Sequence, residues 1–147
     1  LRSDERVVVM ERTNFRYVTP EMLQKGPPHL AAIDVSFISL TLILPVLKKL
    51  MADNSDIVAL IKPQFEAGKE LVGKKGIVRD KKVHRQVIQK IIDFAKAEQY
   101  QFLDLTFSPI TGGEGNIEFL AHFGWKKDAE QRDIDIEQII EEAHSSL

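Results

Sequence analysis

The chain contains no cysteine. That excludes disulfides, thiolate zinc sites and cysteine nucleophiles together, and it favours a reducing compartment, the cytoplasm. No apolar run approaches the roughly 20 residues that a membrane-spanning helix needs, and no signal peptide opens the sequence. Neither sign of charge dominates: 20 Lys+Arg against 22 Asp+Glu leave a net charge of −2. This gives no global pull toward nucleic acid, although a local basic patch is compatible with it. The Gly-x-Gly-x-x-Gly fingerprint is missing, so a dinucleotide-dependent enzyme gains no support. His29, His84, His122 and His144 share no metal-ligand spacing; they read as surface or packing residues, with no metal.

What remains is an ordinary globular composition. The 147 residues, 44% hydrophobic and 29% charged, suffice for one domain with one core. The organising stretch is Leu30-Ala31-Ala32-Ile33-Asp34. Four apolar residues in a row read as a strand buried on both faces, and the run stops at an acid. Ser36, Ser39 and Thr41 are candidate caps for a helix over Thr41–Ala52, in which Pro45 demands a late start or a kink. Before it, Val7–Met10 is a similar strand and Thr19-Pro20 a helix start. After it, Asp56–Ile61 is a third apolar strand, closed by Lys62-Pro63.

A glycine-containing basic loop follows, from Ala67 to Arg79, which reads equally as a simple solvated loop or as a contact for a polyanion. Asp80 caps a helix from about Lys81 to Gln99. Phe102–Phe107 and Asn116–Phe123 read as strands that pair antiparallel at the sheet edge. Between them Gly112-Gly113-Glu114-Gly115 joins two strands rather than opening a helix, so a turn beside the site fits better than a phosphate cradle. The tail from Asp128 is acidic, with Ile136, Ile139, Ile140 and Ala143 on one helical face that docks on the domain. The alternation of strand and helix predicts an α/β fold, a mostly parallel sheet with an antiparallel last strand. Residues 1–127 are expected to form the domain and 128–147 its helical tail.

Ligands of such sheets bind outside the carboxyl ends of the strands. Asp34 ends one strand, Lys62 ends the next, and Glu118 lies in the last. Adjacent strand ends are about 4.8 Å apart, so these charges can meet in one crevice. Two readings stay open there: a proton-transfer site, or a structural ion-pair network at the rim.

The segments Ile33-Asp34-Val35-Ser36-Phe37-Ile38-Ser39, Ala59-Leu60-Ile61-Lys62-Pro63-Gln64-Phe65-Glu66 and Gly112–Leu120 resemble the TlyA family, as does Glu11–Arg16. These are FtsJ-like RNA methyltransferases, often called hemolysin A. The resemblance implies a Rossmann-like methyltransferase fold and S-adenosyl-L-methionine as cofactor. It implies methyl transfer to a ribose 2′-hydroxyl of ribosomal RNA, with ribosomal RNA or a ribosomal subunit as partner. Asp34, Lys62 and Glu118 match the last three members of the family's Lys-Asp-Lys-Glu set. Thr13 and Asn14 would lie near the cofactor's adenosine, and Asp34 with Val35 beside its methionine part. The family's first lysine and its glycine-rich cofactor loop would lie upstream of Leu1.

The family's strand order, 3-2-1-4-5-7-6, makes the Val7 strand its third and the Leu30 strand its fourth. Two absent strands would then leave a gap of about 14 Å between them. Two other function classes stand beside the transferase. One is a membrane-active hemolysin, the other a non-catalytic fragment that binds RNA or cofactor.

Overall fold

Runs of branched and small apolar residues give the strands β1 (Val7–Glu11), β2 (Leu30–Asp34), β3 (Ser55–Ile61), β4 (Gln101–Phe107) and β5 (Phe119–Trp125). The helices are α1 (Leu40–Leu47), α2 (Pro63–Glu66), α3 (Lys81–Ala97) and α4 (Ile136–Ser146). The computed structural model describes residues 29–35, 38–68, 72, 76–112, 115–129 and 133–147, and for 7–11 the backbone. The expected helix start at Thr19-Pro20 and most of the basic loop lie outside the described residues.

The sheet order is β1-β2-β3-β5-β4. β1, β2 and β3 run parallel, and β5 is antiparallel to both of its neighbours. The closing pair β5 and β4 forms the antiparallel edge as expected, with β5 inserted between β3 and β4. This agrees with the 4-5-7-6 part of the order that the resemblance implied. One expectation needs correction, the gap between the first two strands. β1 pairs directly with β2, from Val7↔Leu30 to Glu11↔Asp34. A strand edge with no partner leaves a row of backbone groups unpaired, and a parallel neighbour satisfies them.

Along β3 the side chains alternate strictly. Ile57, Ala59 and Ile61 are fully buried, and Asp56, Val58 and Leu60 are half-buried. Ala31, Ile33, Phe119, Ala121 and Phe123 share the buried face with them, in one core with the apolar sides of α1, α3 and α4. On the opposite face Leu30, Val58, Leu120, Asp56 and His122 line an open cleft of about 470 Å³. There His122 Nε2 and Lys127 Nζ both meet the Asp56 carboxylate, at 2.8 and 3.1 Å.

α1 is shorter than the sequence suggests. Ser39 caps it by accepting from the Thr41 N–H at 3.1 Å. Pro45 lies inside it and removes one backbone donor, and the helix ends two residues later in tighter turns. α3 starts as expected at the Asp80 cap. Its apolar face is Val83, Val87, Ile88, Ile91, Ile92 and Ala95, with His84 among them, wholly buried.

α4 docks on α3 and β4 through Ile136, Ile140 and Ala143. Its surface ion pairs, Lys81–Glu141 and Arg85–Glu137, are well exposed and contribute little. A better-shielded polar link joins the buried His84 to the half-buried His144. His84 Nδ1 lies 2.9 Å from His144 Nε2, and His84 Nε2 lies 3.0 Å from the Val78 carbonyl. A carbonyl only accepts, so His84 Nε2 carries the proton, its Nδ1 accepts, and His144 Nε2 donates. The two histidines that the sequence left scattered thus form a pair.

Burial pushes the pKa of both imidazoles down, reinforced at His84 by His144 and at His144 by the nearby Lys81 cation. A lowered folded-state pKa means that the unfolded chain binds more protons below about pH 6.5, the ordinary histidine value. The contribution of the pair is therefore whole above that pH and lost as pH falls through the folded-state values. The melting temperature should drop between pH 7 and pH 5. In His144→Gln, which removes one of the two titrations, the same scan should be shallower. A flat wild-type profile over that range would disprove the link.

Candidate active site

Two features of the fold gather the strand-end charges. β2 and β3 are parallel neighbours, so Asp34, the last residue of β2, and Lys62, the first residue past β3, leave the sheet on the same side. β5 runs the other way and pairs Phe119 with Ile61. The residue before β5, Glu118, therefore stands beside the residue after β3. Antiparallel insertion of β5 is what brings a segment from the end of the chain to this point.

Lys62 Nζ meets Asp34 Oδ1 at 2.5 Å. The lysine side chain is 13% exposed and the aspartate 54%, so the pair sits at the lip of the sheet, amine inside and carboxylate outside. Glu118 is buried, and its Oε2 accepts from Gln64 Nε2 at 2.8 Å. Gln64 is two residues past Lys62 in the same turn of α2, so Glu118 is tied to the lysine's own turn. The structure thus brings Asp34 and Lys62 into contact and links Glu118 to them through Gln64. Glu118 itself lies just before β5, not inside the last strand as expected.

Val35 is also placed: its side chain is buried in the core. Thr13 and Asn14 lie outside the described residues.

Four further residues shape the site and were not singled out from the sequence. Gln64 is the first. Gly112 is the second. A Cβ built there would fall 2.1 Å from Glu118 Oε2 and 2.5 Å from its Cδ, so only glycine leaves room for the carboxylate. Asn116, buried, is the third. Its Oδ1 accepts from the Val78 N–H and its Nδ2 donates to the Gly76 carbonyl, both at 2.9 Å. It staples the loop before α3 to the loop that carries Glu118. Within that second loop Gly112 N–H donates to the Asn116 carbonyl at 2.7 Å, and Ser108 N–H to the Glu118 carbonyl at 2.8 Å. The glycine-rich stretch is a turn beside the site, as expected, in its described residues.

Glu66 is the fourth. It is buried, and its carboxylate accepts from Ser39 Oγ at 2.5 Å and from the Leu40 N–H at 2.9 Å. Burial raises its pKa, against the opposing pull of those two hydrogen bonds and of the Lys90 cation. Lys90 Nζ also donates to the Glu66 carbonyl, at 2.8 Å. These bonds lock the turn after Lys62 onto the start of α1. An acid three residues past Lys62-Pro63 was the signal that could have revealed it, because a helix N-terminus attracts a carboxylate.

Comparison with known proteins places the chain among relatives. The Bacillus subtilis protein YqxC is 59% identical over all of this chain and 54% of its own length. TlyA of Mycobacterium tuberculosis, named a 16S/23S rRNA (cytidine-2′-O)-methyltransferase, is 36% identical over all of this chain and 53% of its own. A solved structure of a Streptococcus thermophilus protein that carries a hemolysin name superposes with a TM-score of 0.86 at 48% identity. That match covers 99% of this chain and 53% of the other. The chain thus spans about half the length of these relatives. The family model for FtsJ-like methyltransferase matches residues 1–125. On that match, nearly the full extent of the sheet and its strand-end charges, the chain belongs to the FtsJ-like methyltransferase family.

Proposed function

We propose that this chain carries the catalytic side of an S-adenosyl-L-methionine-dependent methyltransferase acting on a ribose 2′-hydroxyl of ribosomal RNA. The observation that carries the reading is the contact of Lys62 with Asp34 beside a buried carboxylate held on the same turn. A cytoplasmic location follows from that substrate. The tail from residue 128 is read as an appendage to the catalytic domain of residues 1–127.

The residues present suit the cofactor. Asp34 is half-exposed at the carboxyl end of β2, and its second oxygen can accept from an ammonium while Oδ1 holds Lys62. Asp34 and the Val35 backbone would hold the methionine part, with Thr13 and Asn14 toward the adenosine. Bound there, the cofactor would supply a methyl group on a positively charged sulfur. The ribose hydroxyl is a weak nucleophile until its proton leaves. Lys62 Nζ, once deprotonated, takes that proton; Asp34 holds the amine at the strand end. Glu118 orients the hydroxyl or a neighbouring amine. Positioning and proton transfer together supply the rate gain.

The name hemolysin A is carried by a Brachyspira hyodysenteriae relative, 44% identical over 84% of this chain and 51% of its own. Among the described residues no helix is long and apolar enough to cross a membrane. The decisive assay incubates the full-length protein with ribosomes and methyl-labelled cofactor, then maps the product by mass spectrometry. The expected product is a nucleoside with one added methyl on the ribose. A methyl on the base, or none, would overturn the reading. The same assay on this chain alone separates an enzyme from a binding fragment.

A further inference from the structure

We propose that Gln64 is the positioning residue that fixes Glu118 for methyl transfer, an inference that rests on the function proposed above. Gln64 Nε2 donates to Glu118 Oε2 at 2.8 Å. A carboxylate accepts and does not donate, so the orientation of the amide is set: the nitrogen faces Glu118 and the oxygen faces away. There Gln64 Oε1 is buried and meets no donor among the described residues. A buried acceptor without a donor destabilises a fold. Methionine would fill the same space without that loss, but it would take the donor away from the Glu118 carboxylate. The orphaned oxygen is thus kept for the sake of the bond the amide nitrogen makes, a pattern typical of working sites.

The geometry it serves is specific. Lys62 and Gln64 share one turn, and that turn is pinned by Glu66 on Ser39 and Leu40 and by Lys90 on the Glu66 carbonyl. On the other side Gly112 closes against the Glu118 carboxylate. The Gln64 bond is the bridge between these two fixed bodies. It converts Glu118 from a side chain on a separate loop into part of the frame that holds Lys62.

The test uses the full-length protein on ribosomal RNA with S-adenosylmethionine. Gln64→Met removes the orphaned acceptor and the donor to Glu118 together, so it should leave the melting temperature within a few degrees of wild type, leave KM for both substrates within twofold, and lower kcat at least tenfold. Gln64→Glu supplies the second readout. Its new carboxyl can donate to Glu118 only while it carries a proton, so its activity relative to wild type should climb as pH falls from 8 to 6. Among the described residues the other charged groups around it are Lys62 with its partner Asp34, Glu66, which is turned toward α1, and Lys90 on the Glu66 carbonyl. Gln64→Met should show no such climb. Wild-type kcat in Gln64→Met, a kcat loss matched by a lost melting temperature, or parallel pH profiles for the two variants would each overturn the proposal. Those results leave the enzyme reading intact. Absence of any ribose methylation by the wild type would instead remove that reading, and this inference with it.

Discussion

Lys62→Arg in the full-length protein should be as inactive as Lys62→Ala, with methyl transfer down about 10²- to 10⁴-fold, the usual worth of a positioned proton acceptor. The arginine variant is the sharper test. A guanidinium keeps the charge and can hold Asp34, but it does not give up its proton at any ordinary pH. If Lys62 served only as a counter-ion for Asp34, arginine would substitute for it. If it takes the proton of the ribose hydroxyl, arginine cannot. Neither variant should unfold the protein. Asp34 is 54% exposed, so its charge is solvated when the amine is gone. A pair at the surface is worth about 0–1 kcal/mol, which sets the expected stability loss. Circular dichroism and a melting curve would check the fold, and transfer of labelled methyl would check the chemistry. Turnover by Lys62→Arg within a few-fold of wild type would remove Lys62 from the proton-transfer role.

Asp34 and Lys62 are legible in the sequence because each terminates an uninterrupted apolar run. A buried parallel strand has no reason to carry Asp34 or Lys62 until it leaves the core. Glu118 was named, but it was placed inside a strand that begins one residue after it. Asn116 and Ile117 read as the start of a strand because they run straight into the apolar stretch that follows; Asn116 is buried for its bonds to residues 76 and 78 instead. Pairing of distant segments is the least local of all structural facts. The residues alone put the last two strands at the edge, and only the family likeness implied the insertion of β5. That same likeness misled at β1, where it implied intervening strands and the chain pairs β1 with β2. Gln64 was quoted only as part of a motif, because its meaning is a bond to a side chain 54 residues away. Gly112 looked like one of several turn glycines. Its role lies in the space a side chain would occupy, which composition does not record.

Gly112→Ala should therefore behave as a mutation of Glu118. The added Cβ would lie 2.1 Å from Oε2, inside any permissible contact. Either the carboxylate swings away, which breaks its bond to Gln64, or the loop retreats, which strains the Gly112–Asn116 bond. Both moves displace the carboxylate, and a displacement of about 1 Å at a reacting centre can cost roughly 10² in kcat. Overpacking of this kind also destabilises by about 1–3 kcal/mol. A double-mutant cycle distinguishes this contact from a general loop defect. In Glu118→Ala the clashing atoms are gone, so adding Gly112→Ala should cost almost nothing further in stability or in residual activity. The two substitutions would then be coupled by about 1–3 kcal/mol, as expected for groups in direct contact. Chemical denaturation of the wild type, both single variants and the double variant gives that coupling directly. If Gly112→Ala instead costs the same in both backgrounds, the glycine is not the wall of the Glu118 pocket, and the carboxylate must owe its position to Gln64 alone.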